Sequence, residues 1–104
     1  MKSQRKTSPK PREIPFYDPD DRELWFRGQL VKRLSQPADV QHLIFQAFQE
    51  QGWKRVIDDP LPPVAGKDPK EHLPQAITNL NRAQQVLHFF GRGAGTRIGW
   101  EPVE

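Results

Sequence analysis

The sequence predicts a small α+β domain of order β–α–β–α–β–β, with its helices packed on one face of an antiparallel sheet. Three observations carry this. Val40, Leu43, Ile44, Ala47 and Phe48 recur at the spacing of one helical face. Aromatic and branched residues gather in short runs between turn formers on either side of that helix. Glycines and prolines mark the joints, at Gly28, at Gly52, in the Asp58–Gly66 stretch DDPLPPVAG and at Gly91–Gly95.

Taken in order, Leu24–Leu34 (LWFRGQLVKRL) reads as strand, with Gly28 marking a bend or bulge that splits it. Residues 14–21 lead into it, with Phe16 and Tyr17 able to pack on the edge of the domain. Pro37 suits the first turn of a helix capped by Ser35 or Gln36, and Gly52 suits its end, where positive φ costs glycine little. Trp53–Ile57 forms a short strand, and three prolines in Asp58–Gly66 impose a loop. Asp68-Pro69-Lys70-Glu71 has the form of a capping box, and Leu73, Ala76, Ile77 and Leu80 form a second apolar stripe. Pro74 opposes helical geometry at Leu73, so one turn at 69–72 followed by a main helix from about 74 to 84 is expected. Val86–Phe90 and Thr96–Glu101 are the arms of a hairpin whose tip is Gly91–Gly95. Val40, Leu43, Ile44, Phe48, Leu73, Ile77 and Leu80 are expected to form the core between the helices.

With 104 residues, one domain spanning 14–104 is expected, preceded by a disordered basic tail at 1–13. Residues 1–12 carry five bases and no acid, whereas the remaining 92 carry 11 bases against 13 acids. The tail reads either as a solubilising terminus or as a basic arm with salt-sensitive attraction to phosphates. The absence of cysteine excludes disulfides, thiolate zinc sites, iron–sulfur clusters and a cysteine nucleophile. No apolar run approaches the roughly 18 residues of a membrane span, and a soluble cytoplasmic protein is expected.

No constellation for catalysis is legible, so no enzyme, cofactor or metal is expected. His42, His72 and His88 fall on different elements without metal-ligand spacing, and His42 reads as a partly exposed surface residue. Asp18, Asp20 and Asp21 lack the further ligands of a calcium loop and read as a solvated turn. Asp58-Asp59 precedes a proline and reads as a turn as well. Ser35 has no base near it, and Gly91–Gly95 is followed by a strand rather than the helix a phosphate loop needs.

Binding is better represented. The second helix carries Gln75, Thr78, Asn79, Asn81 and Arg82 on its polar side, side chains that hydrogen-bond base edges and phosphates. The same face also reads as a solvated one. From His72 to Gly99 there is no carboxylate, and the hairpin tip that follows the helix carries Arg92 and Arg97.

With Leu24–Val31 as leading strands, Pro37–Gln51 as first helix, Ala76–Arg82 as recognition helix and Val86–Trp100 as wing, residues 23–101 resemble a winged-helix domain. The likeness is to the effector domains of bacterial response regulators. One departure stands out: Asp58-Pro60-Pro62-Pro63 occupies the place of the second helix. The resemblance implies DNA binding, with helix 75–82 in the major groove and the 91–97 tip on the backbone or minor groove. The contacts would be Gln75, Thr78, Asn79, Asn81, Arg82, Arg92 and Arg97. The alternative is a protein-interaction module using an exposed aromatic patch near Phe90 and Trp100.

Overall fold

A computed structural model describes residues 14–35, 39–62, 66 and 68–103, so the basic tail and the Gln36–Pro37 start of the first helix lie outside the described residues. Where the sequence predicts one split strand before that helix, there are three: β1 (Phe16–Asp18), β2 (Glu23–Phe26) and β3 (Gln29–Arg33). They form an antiparallel sheet of order β1-β2-β3, sheet A. Phe16–Asp18 is therefore a strand rather than a lead-in. The β1–β2 turn is held by Asp18, whose Oδ1 accepts the amides of Asp20 and Asp21 at 3.0 and 3.3 Å. This is the solvated turn expected of the three aspartates. The split at Gly28 takes the form of a two-residue hairpin turn, with Arg27 and Gly28 at φ 54° and 77°. Such a turn twists the same way as the strands it joins. Across β2 and β3, Leu24 pairs with Lys32 and Trp25 with Leu30, which leaves Val31 as the extra residue of a bulge.

The first helix, α1 (Asp39–Glu50), ends as the sequence predicts. Gly52 takes φ 71°, and the amides of Gly52 and Trp53 bond back to Gln49 and Phe48 at 3.2 and 2.7 Å. Its buried face is the expected one in part. Ile44, Phe45 and Phe48 are fully buried, Val40 and Ala47 pack partly against the core, and Leu43 is 39% exposed, so the stripe is turned toward Phe45. The bulkier aromatic wins the inward position because three rings close around it: Phe45 packs on Tyr17, Trp53 and Phe89 at 5.3, 6.5 and 5.8 Å.

After β4 (Val56–Asp58) and the proline loop comes the second helix, α2 (Pro69–Asn81), which runs unbroken through Pro74. The expected break there does not occur. Pro74 stands on the exposed flank of the second turn, where water can serve the carbonyl its missing N–H leaves open. The helix also stops at Asn81 rather than 84, because Ala83 turns to φ 64°. Finally β5 (Leu87–Arg92) and β6 (Arg97–Pro102) form a hairpin against which β4 lies, giving sheet B, antiparallel in the order β4-β6-β5. Gly91 and Arg92 belong to the strand, so the tip is Gly93–Thr96, with φ of 62°, 57° and 87° at Gly93, Ala94 and Gly95.

Both sheets and both helices share one core. Sheet A contributes Tyr17, Leu24, Phe26 and Val31, α2 contributes Leu73, Ala76 and Leu80, and sheet B contributes Ile57, Leu87, Phe89, Ile98 and Trp100. Val40 and Ile77 are only partly buried against it. Truncating Ile44 or Leu80 to alanine is expected to cost about 2–5 kcal/mol in denaturant unfolding. Leu43→Ala should cost under about 1 kcal/mol, since its side chain already meets water. Equal losses for Leu43 and Ile44 would contradict the rotated face.

Candidate functional site

Two carboxamides dictate how α2 lies against the hairpin. Along the outer edge of β5, every second residue points its N–H and C=O away from β6. At Leu87 those groups meet Gln84: Oε1 accepts the amide at 2.9 Å and Nε2 donates to the carbonyl at 2.7 Å. At Phe89 they meet Asn81 in the same manner, at 2.8 and 3.0 Å. Asn81 thus substitutes for a neighbouring strand and holds α2 beside β5, and its amide is engaged in the fold rather than free to read a base. One turn earlier, Ile77 Cδ1 lies 3.6 Å from the point where Gly91 would carry a Cβ. Helix and strand therefore run antiparallel.

From the other side Lys32 of β3 reaches the end of α2, donating from Nζ to the carbonyls of Asn79 and Arg82 at 2.6 and 3.3 Å. A cation there serves carbonyls of the helix end, that of Asn79 alongside the Arg82 amide it accepts at 3.2 Å, and opposes the negative end of the helix dipole. Burial, and secondarily the nearby Arg82 guanidinium, push the Lys32 pKa below its ordinary value. Sequence reading had no signal for Lys32, since its role arises from a contact 47 residues away in the chain.

The hairpin presents a different surface on the side facing away from the helices. Opposed residues of antiparallel strands share a face, so Asp58, Arg97 and Arg92 form one row across sheet B and Val56, Gly99 and Phe90 the next. The Phe90 ring lies over Gly99, where any Cβ would stand 2.5 Å from its Cε1 and 2.8 Å from the Arg55 carbonyl. The Arg92 guanidinium sits 5.2 Å from the centre of that ring, and His88 stacks on it at 6.0 Å. Arg92 and Arg97 are both exposed, and among the described residues neither enters an ion pair.

The expected contact residues therefore separate. Thr78 follows Ile77 and so stands near the level of Gly91 and Arg92. It is exposed, with its hydroxyl bonded to the Pro74 carbonyl at 3.2 Å. Gln75 is exposed one turn further along, on the rim of a shallow depression with Asp68, Glu71 and His72. Asn79 is half-buried, and Arg82 stands beside Lys32 at the opposite end of α2 from the hairpin tip. Arg92 and Arg97 are strand residues below the tip, not part of it.

The aromatic patch expected near Phe90 loses Trp100, which is 1% exposed on the inner face with its N–H shared between the carbonyls of Trp53 and Lys54, both at 3.1 Å. His42 is partly exposed, as expected, and its Nδ1 lies 2.6 Å from the Tyr17 hydroxyl. Burial is the main cause that raises the Tyr17 pKa above its ordinary value. Among the described residues no group of three His, Asp or Glu could hold a metal, and no helix is long and apolar enough to cross a membrane.

Comparison with protein-family models, with curated proteins and with solved structures returned no match. Two substitutions test the geometry itself. Asn81→Ala should destabilise the chain by about 1–3 kcal/mol, and the Phe89 amide should lose protection in hydrogen exchange while Leu87 keeps its own. Gly99→Ala should cost about 1–3 kcal/mol, and adding Phe90→Leu should restore only part of this, because the Arg55 carbonyl remains in the way.

Proposed function

We propose that this chain is a non-enzymatic DNA-binding domain of winged-helix-like design, with α2 as the recognition helix and the β5–β6 hairpin as the wing. The observation that carries the reading is the pairing of Arg92 with Arg97 directly across the hairpin. Like charges at opposed positions repel and destabilise a sheet. Only one acid, Asp58, shares their row, and it neighbours Arg97 alone. A phosphate group between the two guanidiniums would relieve that repulsion and accept their planar, forked donors.

The exposed flank of α2 adjoins this pair across the edge of β5. Gln75 and Thr78 stand toward the hairpin end of the helix, and Arg82 marks the other end of the same flank. In this reading the flank enters the major groove, and the arginines at its two ends engage phosphates on either side. Asn81 holds the helix in place and is not a contact, and Asn79, four residues after Gln75 at the margin of the flank, is half-buried. The tail at 1–12 adds attraction for phosphates without selecting sequence.

Binding to duplex DNA at several salt concentrations tests this. Each of Arg82→Ala, Arg92→Ala and Arg97→Ala should lower the slope of log affinity against log salt by about 0.9. Removing residues 1–12 should lower it further while leaving the effect of the three substitutions intact. No binding at about 50 mM salt, or binding indifferent to all three arginines, would reject the reading.

A further inference from the structure

We propose that the outer face of sheet A is a self-association surface, and that a second copy of this chain covers it. In the register of β1, β2 and β3, Phe16, Trp25 and Leu30 are directly opposed, so their side chains form one apolar row across all three strands. The two-residue turn at Arg27–Gly28 sets this row by pairing Phe26 with Gln29 and Trp25 with Leu30, and the bulge at Val31 then brings Arg33 rather than Lys32 opposite Glu23. The inner face of the sheet already packs on the core through Tyr17, Leu24 and Phe26. The row therefore faces outward, with Phe16 53% and Leu30 39% exposed and Trp25 half-buried. Ile14, two residues before Phe16, is 39% exposed as well. Three of the five large exposed hydrophobics of the described residues, Ile14, Phe16 and Leu30, lie on this sheet or beside it, the others being Leu43 and Val103. Grouped exposure of this kind marks an interaction surface, whereas scattered exposure does not.

The charges beside the row identify the occupant. Asp18, Glu23 and Arg33 form the next row on the same face. Its β1 end is acidic and its β3 end basic. The Arg33 side chain remains 66% exposed even while bound to Glu23. A two-fold axis running along the strands through Trp25 reverses the order of both rows. Phe16 of each copy then lies over Leu30 of the other, Trp25 lies over its own counterpart, and Asp18 of each copy meets Arg33 of the other. The face is thus complementary to itself in apolar shape and in charge, as a two-fold interface requires. The two copies of Glu23 meet at the axis, and each is already held within its own chain by Arg33 and by the Trp25 indole N–H. This surface is separate from α2 and the hairpin, and the inference does not depend on the proposed function.

Sedimentation equilibrium of the full chain, from about 10 to about 500 μM, tests it. The mass should rise with concentration from the 12.1 kDa of the monomer toward twice that value. Phe16→Ser should weaken association at least about tenfold while leaving the thermal transition in place, since the side chain contributes nothing to the core. Asp18→Arg should weaken it as well, by setting like charges opposite each other. The exchange Asp18→Arg with Arg33→Asp should recover association, since it restores one acid and one base beside Glu23, while both variants lack the Asp18 turn bonds alike. A chain that stays monomeric across the range overturns the proposal. So does association that ignores Phe16→Ser, or an exchange variant as weak as Asp18→Arg alone.

Discussion

The placement of every surface residue in the α2–hairpin half of the molecule depends on the satisfaction of one strand edge. β5 is an edge strand, and the open N–H and C=O groups of such a strand must find partners or recruit another chain. Gln84 and Asn81 close that edge with four hydrogen bonds arranged as an adjacent strand would arrange them. The bonds fix more than the edge. They set the height of α2 along β5, which seats Ile77 against Gly91 and turns the Gln75–Thr78–Arg82 flank outward. Lys32 then grips the end of the same helix from sheet A, so the two sheets are tied through α2 as well as through the core.

This edge also explains what could not be read from the chain. Asparagine on the polar side of a helix beside a basic hairpin has the composition of a base-reading residue, and nothing in spacing distinguishes a carboxamide that faces DNA from one that faces a strand. The distinction is tertiary, since Asn81 meets Phe89 only once α2 has packed. The same holds for α1. Two overlapping stripes include Ile44 and Phe48, one adding Leu43 and the other Phe45, and helical periodicity admits both. Aromatic partners from β1, β5 and Trp53 decide between them. By contrast, the split at Gly28, the Gly52 helix end, the short strand before the proline loop and the final hairpin were all legible. Each depends on local backbone chemistry that tertiary contacts did not override. Pro74 was legible as a conflict but not in its outcome, because its cost depends on whether the orphaned carbonyl meets water or protein.

The core that these elements enclose is small and largely aromatic. Phe48 stacks on Trp53 at 4.9 Å with the rings 4° from parallel, and Trp53 in turn meets Trp100 edge-on at 6.0 Å. Large flat side chains fill volume with few rotatable bonds, so a short chain gains burial at low entropic cost. They also demand that their polar atoms be served, and Trp100 is served by two carbonyls just after α1. The Trp53–Lys54 backbone is thereby fixed against β6, and Arg55, which follows it, lays its guanidinium 4.5 Å from the centre of the Trp100 ring. The alternation of β5 then leaves Phe90 on the outside with no core to enter, and Gly99 is what lets its ring lie flat on the sheet.

Two outward faces of similar strand architecture have consequently been given different chemistry. On sheet B the outward aromatic is enclosed, by Gly99 beneath it and by His88 and Arg92 on either side, so the exposed character of that face is cationic rather than apolar. On sheet A Gly28 receives no ring, and the Arg27 guanidinium lies 4.7 Å from the centre of Phe26, a residue of the inner face. Phe16 and Leu30 stand open to water beside a row of two acids and one base, in which Glu23 is bound to Arg33. A face whose cations oppose one another calls for an anion, and a face whose apolar row runs from an acidic to a basic end calls for its own inverse. Both follow from register alone. A shift of one residue in β6 would part Arg92 from Arg97, and loss of the bulge at Val31 would part Arg33 from Glu23.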